Sequence, residues 1–358
     1  MKNIKYTIHI PILFAIFLFI SCKEKNNSTF STEVFPINHS VLIVEDMLWD
    51  PWDILLIDSV LVVANLKGIP LIETYDLKGN PINKFLTLGQ GPEEVMTVGH
   101  LEEINKNLFV YGMFNKKFLE YDYGKLINVS EIVKPDAVHT FFFTENDTTG
   151  IISKLLMVNN CLIVESNNAN SRIILIDYEG NILKQGGRYP DKVDPRLTDY
   201  ENTSLYGSSI VLNKEGTKIA LATYSADMLD IFDISGNNVE KIWGFQGFLP
   251  HGFILVEMGE TVTTAMTMEA QAGYSDIATS DKYIYAIFSG RKFSENNYGH
   301  GTIIRVASWD GSDRYELHTD IDINRLTVSY DDRIIYAIAK YEDNNSEIVS
   351  FDLTNIKR

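Results

Sequence analysis

Arginine is the side chain in this sequence best suited to hold a small anion. Its planar guanidinium stays charged and presents a rigid fork of donors. Two arginines stand out by position. Arg291 follows the apolar run Tyr283-Ile284-Tyr285-Ala286-Ile287-Phe288 and the pair Ser289-Gly290, so a strand would deliver it to a loop. Arg188 sits in Gly186-Gly187-Arg188-Tyr189-Pro190, where glycine and proline mark a tight crossing. A carboxylate, Asp276, lies in Tyr274-Ser275-Asp276 at the start of the strand before Arg291. Arg291 can equally pair with one of the many carboxylates. Arg188, Asp276 and Arg291 are the candidate ligand-binding residues.

Other chemistries find little support. The histidines beyond the amino-terminal segment, His39, His100, His139, His251, His300 and His318, are scattered and make no metal-ligand spacing. Asp331-Asp332 and the Asp/Asn turns do not give a calcium-loop pattern. No Gly-x-Ser-x-Gly elbow occurs. Gly89-Gln90-Gly91-Pro92 is followed by no helical pattern, so it is not a dinucleotide fingerprint. Paired carboxylates are abundant, but so acidic a chain offers them by chance. No catalytic residue and no cofactor is assigned. Two further groups have a plain structural reading first and a binding reading second: the charged loop Tyr189 to Tyr206 as a solvated excursion or a contact for a sugar or peptide, and the aromatic cluster Trp243, Phe245, Phe248, His251 and Phe253 as packing between blades or a stacking surface for a sugar or cation.

The chain has 358 residues, 45% of them hydrophobic, with a formal charge of -17. A surface this negative repels phosphate backbones, so nucleic acid is excluded as a partner. The only cysteines are Cys22 and Cys161, too few for a disulfide framework.

Lys2 and Lys5 precede an apolar run from Ile8 to Ile20, too short for a comfortable membrane span, and small Ser21 comes just before Cys22. Residues 1–21 read as a secretory signal, and residues 22–33 as a polar, flexible tether. Leu18-Phe19-Ile20-Ser21-Cys22 resembles a bacterial lipoprotein signal, with Phe19 where an aliphatic residue is usual. The resemblance implies acylation of Cys22, and with it a hold on a lipid bilayer that several acyl chains make firm. The expected location is the cell envelope, at the outer membrane.

These residues need a scaffold, and the scaffold is repetitive. An alternating strand running into an Asp-marked turn recurs six times, with Asp76, Asp122, Asp177, Asp233, Asp310 and Asp352 as the markers. A hairpin of two apolar strands precedes each copy, and a more polar strand, such as Pro81 to Leu86, follows several. Four antiparallel strands at this period predict propeller blades. The expected fold is all-β: a six-bladed β-propeller of four-stranded antiparallel blades over residues 34–358. The last unit lacks a clear fourth strand, and Val34 to Val44 is expected to supply it and close the ring. The wide gap between Asp233 and Asp310 holds an insertion, roughly Phe248 to Gly273.

Leu88-Gly89-Gln90-Gly91-Pro92-Glu93-Glu94 and the segment Ala272 to Arg291 resemble the TolB-like six-bladed β-propeller lipoproteins of Gram-negative bacteria. The resemblance covers most of the mature chain. It implies a six-bladed propeller on a lipid anchor and transfers no catalytic residue. The expected function is a membrane-anchored binding or scaffold module for a small molecule, a glycan or an envelope protein. The alternative is a metal-dependent, lactonase-like hydrolase in the propeller channel. A third reading is a structural subunit of an envelope complex.

Overall fold

The computed structural model describes residues 29–44, 48–66, 68–128, 133–141, 155–158, 161–258, 261–341 and 345–356. Cys22, the signal and the first part of the tether lie outside these residues. The last part of the expected tether, 29–33, belongs to the folded body instead. Phe30 is buried, with edge-on ring contacts to Trp243 and Phe245 at 6.5 and 5.3 Å. The Ser31 hydroxyl donates to the carbonyl of Arg314 at 2.8 Å.

The chain continues through β1 (Val34–Ile37) and β2 (His39–Ile43) into a succession of antiparallel sheets. The first contains β3 (Pro51–Ile57), β4 (Val60–Asn65), β5 (Ile72–Asp76) and β6 (Pro81–Phe85). The second contains β7 (Val98–Ile104), β8 (Asn107–Gly112), β9 (Lys117–Tyr121) and β10 (Ala137–Thr140), with the short α1 (Tyr123–Ile127) between the last two. The third contains β11 (Leu156–Val158), β12 (Cys161–Asn168), β13 (Ser171–Ile176) and β14 (Ile182–Gly186). After α2 (Asp199–Ser204) the fourth contains β15 (Ser208–Leu212), β16 (Lys218–Thr223), β17 (Met228–Asp233) and β18 (Glu240–Gln246). The insertion is a separate hairpin, β19 (Phe253–Met258) and β20 (Thr261–Met266).

The remaining strands share one eight-stranded sheet rather than two separate ones. They are β21 (Tyr274–Thr279), β22 (Tyr283–Phe288), β23 (Gly301–Ser308), β24 (Arg314–Val328), β25 (Ile334–Lys340) and β26 (Ser346–Asp352), joined by β1 and β2. The merger has one cause. β24 is 15 residues long; Arg314 to His318 pair with β23, and Ile323 to Val328 pair with β25. It therefore ends one four-stranded group and begins the next. The amino-terminal segment also divides. β2 lies antiparallel to β26, whereas β1 lies parallel to β24, and Asp320 holds the break between them by accepting from the His39 amide and contacting its Nδ1, both at 3.0 Å. The described part is an all-β propeller architecture of four-stranded antiparallel blades.

Packing explains the composition of each strand. β4 and β13 are buried along their whole length, since neighbouring sheets cover both faces, and most of each is an apolar run, Val60 to Ala64 and Ile173 to Ile176. The fourth strands β14 and β18 are largely exposed and carry Lys184, Glu240 and Lys241. Apolar layers fill the spaces between consecutive sheets: Val62 with Val110, Tyr111 with Val164, Ile173 with Ile219, Leu229 with Ile284, and Ile304 with Ala337. One more layer joins the chain's two ends, with Ile43, Ile338 and Ile348 packed against Ile54 and Val63.

All six marker aspartates make the same turn. Each accepts the backbone amide two residues on, at Lys78, Gly124, Glu179, Ser235, Ser312 and Thr354, over 2.7–3.1 Å. Such an Asx turn mimics a backbone turn and suits a strand end. At Asp122 the turn caps α1 instead of leading straight into a strand.

Candidate functional site

The innermost strand of each group, β3, β7, β11, β15, β21 and the second half of β24, lines one cavity of about 610 Å³. An innermost strand is a sheet edge, and its outward amides need partners. Side chains of the adjoining strand supply them. Asp53 Oδ2 accepts from the Leu101 amide at 2.8 Å, and Glu102 Oε2 from the Met157 amide at 3.0 Å. Glu165 Oε2 accepts from Ser208 N at 2.9 Å, and Asp276 Oδ2 from Leu326 N at 3.1 Å. Thr327 Oγ1 accepts from Leu56 N at 3.0 Å. Asp53, Glu102 and Asp276, which line the cavity, thus stitch one strand to the next, as Glu165 of β12 does from outside the lining.

The turns that follow these strands ring the mouth of the cavity. Asn105 and Lys106 form a two-residue turn with both φ values positive, 53° and 69°, as a tight type I′ hairpin needs. Tyr330 occupies the mouth. Its hydroxyl donates to Glu103 Oε2 at 2.8 Å, and Lys214 Nζ lies 5.4 Å from its ring centroid. Lys214 also pairs with Asp281 at 3.1 Å, and Lys106 with Asp58 at 3.5 Å. Burial, reinforced by Glu103, pushes the Tyr330 hydroxyl well above the ordinary tyrosine range, so it stays protonated as a donor. The mouth is therefore polar and of mixed charge, over walls that include Leu55, Met157, Ile277 and Val328.

The three candidate residues do not come together there. Asp276 lines the cavity, with Ser209 Oγ at 3.4 Å from its second oxygen. Arg291 does not line it; it makes a two-pronged pair with Asp322 at 2.8 and 2.6 Å. Arg188 is exposed and faces Asp191 at 3.6 Å. The loop from Tyr189 to Tyr206 is packed rather than a solvated excursion. Tyr189, Leu197, Leu205 and Tyr206 are buried together, and a capping box of Thr198 and Glu201 starts α2. In the aromatic cluster, Phe245 is core, and Trp243 carries Arg314 over its ring at 5.6 Å.

Sequence reasoning passed over Asp53, Glu102, Thr327 and Tyr330. Their one signal was membership of a first strand or of the turn after it. Among the described residues no group of three or more His, Cys, Asp or Glu side chains is placed to hold a metal ion.

Repeated four-stranded sheets around an axial cavity define a β-propeller. The chain matches the TolB-like 6-blade propeller-like family over residues 29–331, and it belongs to that family. Two solved structures share the fold. One is a protein from Bacteroides fragilis NCTC 9343 described as exported, 10% identical, with 89% of this chain and 98% of that chain covered at a TM-score of 0.50. The other is a DUF4221 family member from Bacteroides vulgatus ATCC 8482, 11% identical, with 89% and 95% covered at 0.50. Among curated protein sequences none matches this chain.

Proposed function

We propose that this protein is a lipid-anchored envelope module whose six blades form a ring, closed by β2 against β26, and whose axial channel holds a small ligand. The observation that carries the reading is the cavity itself. Every innermost strand contributes to it, and Tyr330, hydrogen-bonded to Glu103, stands at its mouth. A cavity of about 610 Å³ falls in the range of small-molecule sites, which join apolar walls to a few polar groups. Closure is supported by the apolar layer between Ile43, Ile338, Ile348 and the first sheet. The anchor reading rests on the sequence around Cys22, outside the described residues. The hydrolase alternative gains no support from the channel carboxylates Asp53, Glu102 and Asp276, which hold backbone amides and a serine hydroxyl.

The test is native mass spectrometry of the protein released intact from its own membranes. A reproducible low-mass occupant, lost on mild unfolding, is expected. An empty protein whose melting temperature no small molecule from a metabolite panel raises would overturn the reading. The anchor is tested separately by incorporation of a labelled fatty acid. Cys22→Ser should abolish it, and label that persists in that variant refutes acylation at Cys22.

A further inference from the structure

Four of the innermost strands carry a β-bulge near their start. Register slips between Pro51 and Asp53 in β3, Val98 and His100 in β7, Tyr274 and Asp276 in β21, and Ile323 and Arg325 in β24. The extra residues are Trp52, Gly99, Ser275 and Asn324. The stitches set these bulges side by side: Asp53 takes the amide of Leu101, and Asp276 takes that of Leu326, each one residue past the neighbour's bulge. All four lie upstream in their strands, whereas the Tyr330 turn follows the downstream end of β24. They therefore mark the opposite end of the channel. Bulges favour sites where a side chain must be re-aimed.

Arg325 sits among them. Its Nη1 donates to the carbonyls of Ser275 and Asn324 at 3.3 and 2.8 Å, and its guanidinium carbon lies 4.5 Å from the Trp52 ring centroid. It thus touches β21, β24 and β3. Arg172, Arg291 and Arg305 each pair with a carboxylate; among the described residues Arg325 has no such ion pair. Two polar atoms beside it are also unsatisfied. Asn324 is only 9% exposed, and its Oδ1 and the Ser275 Oγ are both buried without a hydrogen-bond partner. Buried polar atoms of this kind call for a partner. The end is open to solvent, since Trp52 and Tyr224 are 37% and 38% exposed. Tyr224 turns its hydroxyl inward toward Ser209, where burial pushes it up to about 12 and Arg325 opposes the shift.

We propose that this bulged end binds a small hydroxylated carboxylate, a sugar acid or a hydroxy acid. The assignment rests on the channel being a ligand site and names the class of ligand. Arg325 offers its remaining donors to the carboxylate, a charge-assisted bond well suited to a planar fork. Ser275 Oγ adds a donor. Asn324 Oδ1 accepts from a ligand hydroxyl, and the exposed part of Trp52 lies against the carbon skeleton. In a chain of net charge -17, an arginine held without an acidic partner makes a selective place for an anion.

The test is titration calorimetry of the full mature protein with D-glucuronate, L-lactate, glucose and inorganic phosphate. Glucuronate or lactate should bind, and which of them binds tells sugar acid from hydroxy acid; glucose and phosphate should bind at least about tenfold more weakly. Arg325→Gln should weaken the acid by about tenfold to a hundredfold. Ser275→Ala should weaken it several-fold, with the melting temperature checking the fold of each variant. If Arg325→Gln does not fold, Arg325→Lys keeps the charge, loses the fork and should still bind more weakly. Failure of both acids to bind, phosphate binding as tightly as the acids, or full affinity in the arginine variants overturns the assignment. Glucose binding alone overturns it while leaving the channel a ligand site, whereas an empty native protein counts against both readings.

Discussion

The Thr327 hydroxyl accepts the backbone amide of Leu56 across 271 residues of sequence, at 3.0 Å. Both residues are buried, and β24 thereby meets β3, the last innermost strand against the first. A buried amide without its acceptor costs about 1–3 kcal/mol. Thr327→Val keeps the shape and removes the acceptor, so unfolding in urea should show a loss of that size. Thr327→Ser keeps the hydroxyl and should recover most of it. Removing residues 29–43 should cost far more, because it strips β2 from β26 and uncovers the apolar layer around Ile338 and Ile348. An unchanged melting temperature in that truncation would sink the proposed ring closure.

The Asx turns carry a different prediction. Asp76 also accepts from the Asn80 amide and side chain, both at 2.8 Å, and Asp177 does the same with Asn181 at 2.8 and 2.9 Å. The Asn80 side chain holds the Asp76 carboxyl below its ordinary 3.8, and Asn181 does so for Asp177. A lowered folded value means stability that is present above about 3.8 and lost as pH falls through the folded value. Asp76→Ala should lower the melting temperature by about 2 °C at pH 7. Its deficit against wild type should shrink as pH falls below about 3.8, and channel ligand binding should not change. A change in ligand affinity would show that the turn is more than architecture.

Those turns also show what a reader of the sequence could and could not see. Asp-marked turns are local, made within five residues, so their periodic recurrence predicted four-stranded units directly. The apolar runs Val60 to Ala64 in β4 and Ile173 to Ile176 in β13 were equally legible, because burial on both faces favours apolar residues at every position. The shared strand β24 was not. Its continuity depends on how far two units rotate before they meet, and no local residue pattern records that. The split of residues 34–44 into two strands depends on Asp320, a partner 281 residues away. The channel residues were obscured for a related reason. Asp53 and Glu102 look like ordinary strand carboxylates until the neighbouring strand presents its amides. Among the described residues Arg325 makes no ion pair and instead binds two carbonyls and the Trp52 ring, an arrangement that takes three strands at once.

His300 gives the chain an acid-sensitive point. Burial holds its pKa down to about 4; Asp322 opposes the shift, and Lys340, Arg291 and Arg325 reinforce it. The unfolded value is near 6.5. Between these values the unfolded chain takes up a proton and the folded chain does not, so stability falls as pH drops from 6.5 toward 4. With allowance for its partial exposure, the effect between pH 7 and 5 should be about 1 kcal/mol. His300→Gln should remove that part of the pH dependence. The measurement is the shift in urea midpoint between pH 7 and 5, compared for the two proteins. Equal shifts would show that His300 titrates alike in the folded and unfolded states.

Arg172 is held by a dense set of bonds in the interior. It donates to Glu165 Oε1 at 2.9 Å, Asp230 Oδ2 at 2.8 Å, Ser208 Oγ at 2.6 Å and Thr223 Oγ1 at 3.0 Å, beneath the Tyr189 ring. It joins the third sheet to the fourth in a place where Glu165 also stitches Ser208. Arg172→Met leaves Glu165 without its cation and Asp230 with Lys241 alone, 2.6 Å away, and breaking a buried pair from one side costs about 3–5 kcal/mol. Arg172→Lys should recover little, since an ammonium cannot reproduce a fork that reaches five acceptors, the Tyr206 carbonyl included. The combination Arg172→Met, Glu165→Gln and Asp230→Asn should be more stable than Arg172→Met alone, because it removes the stranded charges. Urea unfolding of the three variants checks the order: Arg172→Met and Arg172→Lys similar and low, the triple variant higher. A triple variant less stable than Arg172→Met would mean that the neutral hydrogen bonds matter more here than the charges.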